Sequence, residues 1–381
     1  MKKLILLLLC LSLFACKRND FDQDYSTEKA ATAYPTPIND EAQVMATLMT
    51  MSYVGKKHPD YIFDSLNIAL NDKSYITKGE WGLAWYNFNT KKSLLAFIAY
   101  NKQQPGTYAL CIRGTNFASV YNFFYDIDIY RQADWIFGKS LPDSKIINGS
   151  MIAFNAILDT KGQEFYPNTG DISLTDYIKQ IFNEKQNPQG VQRFYVTGHS
   201  LGGGLAALFA DYILEDVVNI ENNYNKSLYS GIYTFASPAI GNEEFAQSFE
   251  NLLDRHRTPA PGKTQINFKR YYVTNDVIPY LYHNISELEN VDYPLTTFMK
   301  LQLRAFAKTV TIPLKAEDMV FEHLGNGNKG EVISLNIKDL PYKPDLPEEV
   351  NVVGDFTKYG DWSHSHNNYS ILIGGSYVPK R

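Results

Sequence analysis

The chain has 381 residues, 44% of them hydrophobic, and 36 Lys and Arg against 41 Asp and Glu leave a net charge of −5. That length can hold two domains, but α/β folds often run past about 250 residues as one unit, and there is ample chain to bury a core. The acidic balance leaves no basic footprint for nucleic acid. Aromatic residues are abundant, with 27 Tyr and 22 Phe. Such a Tyr content suits half-buried grooves for sugars, lipids or partners, and equally a Tyr-rich core and edge strands.

Met1-Lys2-Lys3 precedes an apolar run from Leu4 to Ala15. A basic start and about a dozen apolar residues fit a secretory signal better than a membrane span, which needs roughly 20. The run ends "LFAC", Leu13 to Cys16, which resembles the lipobox of bacterial lipoprotein signals, with Phe14 bulkier than usual there. That resemblance implies cleavage before Cys16 and acylation of its thiol; several acyl chains on one cysteine hold a membrane firmly. The expected product is an exported, membrane-anchored lipoprotein, on the periplasmic side, the outer membrane or the cell surface. Of three cysteines, Cys10 falls in the signal and Cys16 at its end, so Cys111 is expected as an unpaired core thiol.

Residues 16–38 are polar and read as a lipidated cysteine and flexible tether, so the organisation is a signal at 1–15, the tether at 16–38, and a single α/β domain at 39–381. Asn39 or Asp40 is placed to cap a first helix carrying Val44, Leu48, Met49 and Met51, and a second helical stretch follows Pro59. Leu83–Phe88, Leu94–Tyr100 and Thr107–Arg113 read as strands, punctuated by "NTKK" and "KQQPG". Helical periods at Ile146–Leu158, Leu174–Phe182 and Leu201–Leu214 then alternate with strands at Phe194–Thr197, Ile232–Ala236 and Tyr271–Thr274. This alternation predicts a mostly parallel central sheet covered on both faces, made mixed by its antiparallel start. No period dominates from 286 to 346; "TVTIPL" and "EVISLNI" read there as two strands of an elaboration of the same domain.

"GHSLG", Gly198 to Gly202, lies between the buried-strand pattern "RFYVT" and the small-residue helix "LGGGLAALFADYIL". A serine at a strand-to-helix turn needs small flanking residues, because its backbone is strained and passes close to neighbours. The helix N-terminus aims free amides at the serine, where they can stabilise an oxyanion. A serine hydroxyl also needs a base and an orienting acid, expected downstream in that fold as acid and then His. Asp276 follows a strand's C-terminal end in "VTNDVIPYL", and "DWSHSHNNYS" offers His364 and His366.

Seven ordered segments together resemble the class 3 lipases, the fungal-type triacylglycerol lipases and related esterases. They are "LCIRGTN", "YNFFYDID", "INGSMIAF", "VTGHSLGGGLAAL", "YTFASPAIGNEEFA" with Ala236 where the family has Gly, "VTNDVIPYL" and "HNNY". They run from about Leu94 to Tyr369 and cover 286–346 poorly. The resemblance implies an α/β-hydrolase fold, Ser200 as nucleophile, Asp276 as acid and His366 as general base, because the family's His-x-x-Tyr context favours it over its rival His364. It also implies oxyanion donors at the backbone N–H groups of Thr115 and Leu201. His283 is disfavoured by its closeness in sequence to Asp276, His199 is expected to pack beside the elbow, and Arg113 to pin its loop through carboxylate pairs.

Val120, Phe123, Phe124 and Ile127 fall on one helical face where family lipases carry a lid, so they are read either as a lid against substrate or as a fixed helix on the core. The implied activity is a serine carboxylester hydrolase acting on acylglycerols or other lipid esters. Its alternatives are phospholipase A1 or feruloyl-type esterase, and, in another class, a non-catalytic lipoprotein that uses the fold for binding. Neither metal nor cofactor is called for, since no Cys/His cluster with metal spacing and no phosphate-cradling loop is present. The expected partners are the ester substrate and a membrane reached through Cys16; oligomeric state is left open.

Overall fold

A computed structural model describes residues 40–379, apart from 56–58, 91–92, 115–130, 222–227, 259–262, 281–282, 284–290, 292, 317–319, 326–329, 342–347, 349 and 351–352. The signal, Cys16, the tether, Thr115 and the lid residues Val120, Phe123, Phe124 and Ile127 lie outside the described residues.

The sheet starts antiparallel. Strands β1 (Trp81–Asn89), β2 (Leu94–Asn101) and β3 (Thr107–Ile112) form a meander. Beyond it, β8 (Arg193–His199), β9 (Tyr229–Phe235), β10 (Gln265–Val273) and β11 (Glu331–Leu335) run parallel to β3. Short β6 (Gly162–Glu164) and β7 (Gly170–Ile172) add to the far edge, for the nine-stranded order β11-β10-β9-β8-β3-β2-β1-β6-β7. A separate ribbon pairs β4 (Gln132–Asp134) with β5 (Lys145–Ile147). The inner strands β2, β3 and β8 are buried along most of their length, as a sheet covered on both faces requires.

Two cores sandwich this sheet. On one face α3 (Asn148–Asp159), α4 (Leu174–Phe182), α5 (Leu201–Tyr212) and α6 (Glu243–His256) pack with Phe154, Tyr177, Leu205 and Phe249. On the other, α1 (Asp40–Met51), α2 (Ile62–Asn71) and the C-terminal α9 (His366–Ile373) pack with Met45, Leu66, Phe97 and Tyr369. This is the expected α/β-hydrolase architecture, with a mixed, mostly parallel sheet and helices on both faces. Cys111 is the free, buried thiol expected at mid-sheet.

Helix α1 is clamped to the sheet at its first turn. Glu41 accepts from Tyr195 Oη at 2.6 Å, from Tyr229 Oη at 2.8 Å and from Tyr233 Oη, three phenols on two adjacent strands. The three hydroxyls share one carboxylate, and burial comes first among the causes that push all three phenols above their ordinary value.

Two segments differ from their expectation. Ile146–Ile147 end strand β5, and α3 starts only at Asn148. "TVTIPL" is not a strand but falls inside α7 (Thr297–Ala316). Its β-branched residues carry only a weak preference, and the helix formers Met299 to Lys308 that precede them continue the helix through the run. "EVISLNI" does contain a strand, β11, which joins the edge of the main sheet beside β10. Helices α8 (Val353–Ser363) and α9 end the chain with a break between them, where His364 and Ser365 sit.

Candidate active site

The nucleophile turn is built from backbone crowding. Ser200 has φ 60° and ψ −132°, a left-handed conformation that a non-glycine residue adopts only under constraint. The constraint comes from both sides: the Ser200 N–H donates to Phe235 O at 2.9 Å, and the Ser200 carbonyl accepts from Gly203 N at 2.9 Å. A Cβ on Gly198 would lie 2.0 Å from Gly202 O, and one on Gly202 would lie 2.3 Å from Ile112 O. Each glycine of the motif is thus a point where two backbones touch. Ser200 is 2% exposed, and its Oγ is buried with no hydrogen-bond partner among the described residues. A buried hydroxyl left unpaired costs about 1–3 kcal/mol, a cost expected at a working residue rather than a packing one. Leu201 opens α5, so its N–H lies in the first turn, where amides lack an intrahelical acceptor.

Gly114 abuts this turn. A Cβ there would meet His199 O at 2.4 Å and Ser200 Cβ at 2.9 Å. The Gly114 N–H donates to Tyr53 Oη at 3.2 Å. An amide can only donate, so the single phenol proton is left for His199 Nδ1, 2.9 Å away. His199 therefore accepts at Nδ1 and carries its own proton on Nε2, the assignment that this network requires. Burial pushes the Tyr53 phenol well above its ordinary value, which keeps it a donor. Tyr53 follows α1, and nothing in the local sequence marks it. It becomes visible only once α1 is docked.

The acid and base arrive from the other end of the chain. Asp276 is fully buried just after β10, as expected for a group at a parallel strand's C-terminal end. It accepts three bonds: His364 Nδ1 to Oδ2 at 2.8 Å, Tyr369 Oη to Oδ2 at 2.7 Å, and Ile278 N to Oδ1 at 3.0 Å. Tyr369 itself accepts from Val273 N at 2.8 Å. Burial raises its phenol well above the ordinary value, with the Asp276 charge adding to the shift.

The histidine that meets Asp276 is His364, not His366, so the sequence expectation is corrected here. His366 is the first residue of α9 and 5% exposed, and its ring stacks on Tyr53 with centroids 4.0 Å apart and planes 5° apart. His364 stands in the break between α8 and α9, where its side chain is free of helical direction, and 14% of it is exposed. The His-x-x-Tyr context pointed to His366, whereas the contact with Asp276 is made by His364; its Tyr369 does bond Asp276. The break between two helices only three residues apart is not visible in "DWSHSHNNYS".

Other expectations are located plainly. His199 packs beside the elbow, its ring 4.6 Å from that of His364 and 5.5 Å from that of Tyr369. His283 is elsewhere, its Nδ1 2.9 Å from Phe321 O. Arg113 is buried, and among the described residues no carboxylate pins it: Nη2 donates to Ser93 O at 2.8 Å, and the guanidinium lies over the Phe88 ring at 5.3 Å. Burial lowers its pKa to about 10. Ala236, where family members have Gly, has φ 53°, so the family's glycine marks a left-handed position that this chain fills with a methyl group.

These features can be set beside known proteins. Residues 109–284 match the family model for lipase (class 3). The matched segment takes in Gly114, Ser200 and Asp276 and stops before His364. A triacylglycerol lipase OBL1 of Arabidopsis thaliana is 36% identical over 104 residues, 27% of this chain and 17% of that protein. A phospholipase A1-II 1 of Oryza sativa subsp. indica is 39% identical over 199 residues, 51% of this chain and 47% of that protein. The chain thus spans less than half the length of these relatives. The solved M37 lipase structure superimposes with a TM-score of 0.63 at 20% identity, covering 88% of this chain and 92% of that one, a likeness of fold.

Proposed function

We propose that the protein is a serine carboxylester hydrolase of lipase type, cleaving acylglycerols or other lipid esters through an acyl-enzyme on Ser200. The single observation that carries the reading is the His364 Nδ1 to Asp276 Oδ2 bond at 2.8 Å, in a fold whose strained serine sits in the segment that matches the class 3 lipase model. Asp276 orients the imidazole and stabilises its cation; it does not itself take the proton. His364 Nε2 takes the Ser200 hydroxyl proton as Oγ attacks the ester carbonyl carbon. The carbonyl electron pair moves to oxygen, and the expected donors to that oxyanion are the backbone N–H groups of Leu201 and of Thr115, the latter outside the described residues. Collapse breaks the ester C–O bond, and His364 gives its proton to the leaving alcohol. Water then enters by the same route and releases the acid, returning Ser200 to its free form.

A second reading, phospholipase A1 activity, is consistent with the match to the Oryza sativa protein. An ester panel of triacylglycerols and phospholipids, run on wild type and Ser200→Ala, decides between them. Hydrolysis that disappears in Ser200→Ala, with fluorophosphonate labelling lost in parallel, is the expected result. A folded protein that never labels belongs instead to the binding class. Activity that survives in Ser200→Ala refutes the nucleophile.

The reading extends to the membrane through Cys16 of "LFAC". The protein is then an exported lipoprotein whose acyl chains keep the site near lipid. Incorporation of labelled palmitate that is abolished by Cys16→Ser supports the anchor; incorporation unaffected by that change removes it.

A further inference from the structure

Asp276 and His364 are 88 residues apart in sequence, yet the base works only if the two stay in register. A connection of that length imposes no local constraint on its ends. The elaboration it contains supplies one.

Tyr293 lies in the elaboration and is 7% exposed. Its Oη is 2.5 Å from Asn275 O and 2.6 Å from Ser363 Oγ. Asn275 is the residue before Asp276, and Ser363 is the residue before His364. A carbonyl can only accept, so the Tyr293 proton goes to Asn275 O, and the phenol oxygen is left to accept from the Ser363 hydroxyl. Ser363 Oγ also lies 3.2 Å from Gly360 O in the last turn of α8. One phenol therefore ties the backbone of the acid loop to the end of the helix that delivers the base. Burial pushes that phenol well above its ordinary value, so it remains protonated.

Tyr293 is itself held. The Val350 N–H donates to Pro294 O at 2.8 Å, and the Tyr359 ring of α8 lies 4.9 Å from the Tyr293 ring. The anchor thus spans three separate pieces of chain: the acid loop, the elaboration and α8.

We propose that Tyr293 is a positioning residue, a staple through which the 286–346 elaboration holds Asp276 and His364 in register. This rests on the assignment of Asp276 as acid and His364 as base. The hydrogen bonds of Tyr293 reach the residue before each, and Tyr293 acts through them. The elaboration is then part of the site's framework.

The test is Tyr293→Phe in the full chain, read in two ways. Ester hydrolysis is expected to lose at least about tenfold in kcat with KM changed less than twofold, because a loosened base costs the transition state and leaves ground-state binding intact. In the resting protein, proton NMR of the deshielded His364 Nδ1 proton, assigned by its loss in His364→Ala, is expected to broaden or move upfield. A residue that merely fills space would leave that resonance unmoved. Should Tyr293→Phe fail to fold, Ser363→Ala decides by the same two readouts, with a smaller loss in the same direction. A folded variant with unchanged kcat and an unmoved resonance overturns the staple. The resonance needs no turnover, so a failed staple and a failed hydrolase reading give different results: wild type inactive on every ester refutes the latter, and an unmoved resonance the former.

Discussion

The two halves of the site are made in opposite ways. The nucleophile half is local: Ser200 and the glycines around it occupy one turn, and the contacts that force the Ser200 backbone to φ 60° come from strands already neighbouring in the sheet. The half around Asp276 and His364 is assembled across 88 residues and depends on two phenols, of Tyr293 and Tyr369, that lie far along the chain from Asp276 or His364 in turn. Backbone crowding writes itself into sequence as obligatory glycine. A hydrogen-bond scaffold built from ordinary tyrosines leaves no such mark.

That difference can be broken by substitution. The largest effect is expected in the assembled half. Asp276→Asn keeps the shape but removes the charge that orients His364, and kcat should fall by about 10⁴-fold, measured on a soluble ester. A loss under tenfold would mean that the 2.8 Å contact is structural only.

The local half should fail through the fold. Gly198→Ala places a Cβ 2.0 Å from Gly202 O, backbone against backbone, where nothing can swing aside. Thermal or denaturant unfolding is expected to show a loss of at least about 3 kcal/mol. A variant as stable as wild type would show that the turn is less tightly drawn than described.

Tyr53 supports the local half from outside it, through Gly114 and His199. Tyr53→Phe removes the acceptor of the Gly114 N–H and the donor to His199, and a drop of about tenfold in kcat with little change in melting temperature is expected. An equal fall in stability and no fall in kcat would return Tyr53 to the core.

The smallest effect concerns the far end of α5, opposite Ser200. Asp211 is buried there, accepting from Trp135 Nε1 at 2.8 Å, and burial raises its pKa from 3.8 to about 7. The folded state then binds this proton more tightly than the unfolded chain does. Its contribution to stability is fully present below about 3.8 and is lost as pH rises toward about 7. Asp211→Asn, which keeps an acceptor for Trp135, should raise stability at pH 8 by roughly 1–2 kcal/mol, flatten the pH dependence between those limits, and leave kcat unchanged. Unfolding curves across that pH range check it; a variant less stable at pH 8 contradicts it.

Much of the fold was legible. Leu174–Phe182 forms a helix with the bounds its period gives, and the strand runs that alternate with helices do build a mostly parallel sheet. Apolar periodicity reports burial directly, which is why those segments read well. "TVTIPL" did not, because β-branching is a weak preference and the preceding helix overrode it. The strained turn at Ser200 and the position of Asp276 past β10 could be read from glycine spacing and strand ends. The choice between His364 and His366 could not, because it depends on where α8 stops and α9 starts, with Tyr359 of α8 against Tyr293 and His366 of α9 stacked on Tyr53.

The account turns on which histidine carries the proton. Replacing His364 and His366 separately with Ala and measuring kcat on one ester tests it most directly. His364→Ala is predicted to lose on the order of 10⁴-fold or more, with partial recovery on adding imidazole, while His366→Ala stays within about tenfold of wild type once any loss of stability is accounted for. The reverse pattern, with His366→Ala inactive and His364→Ala near wild type, would contradict it.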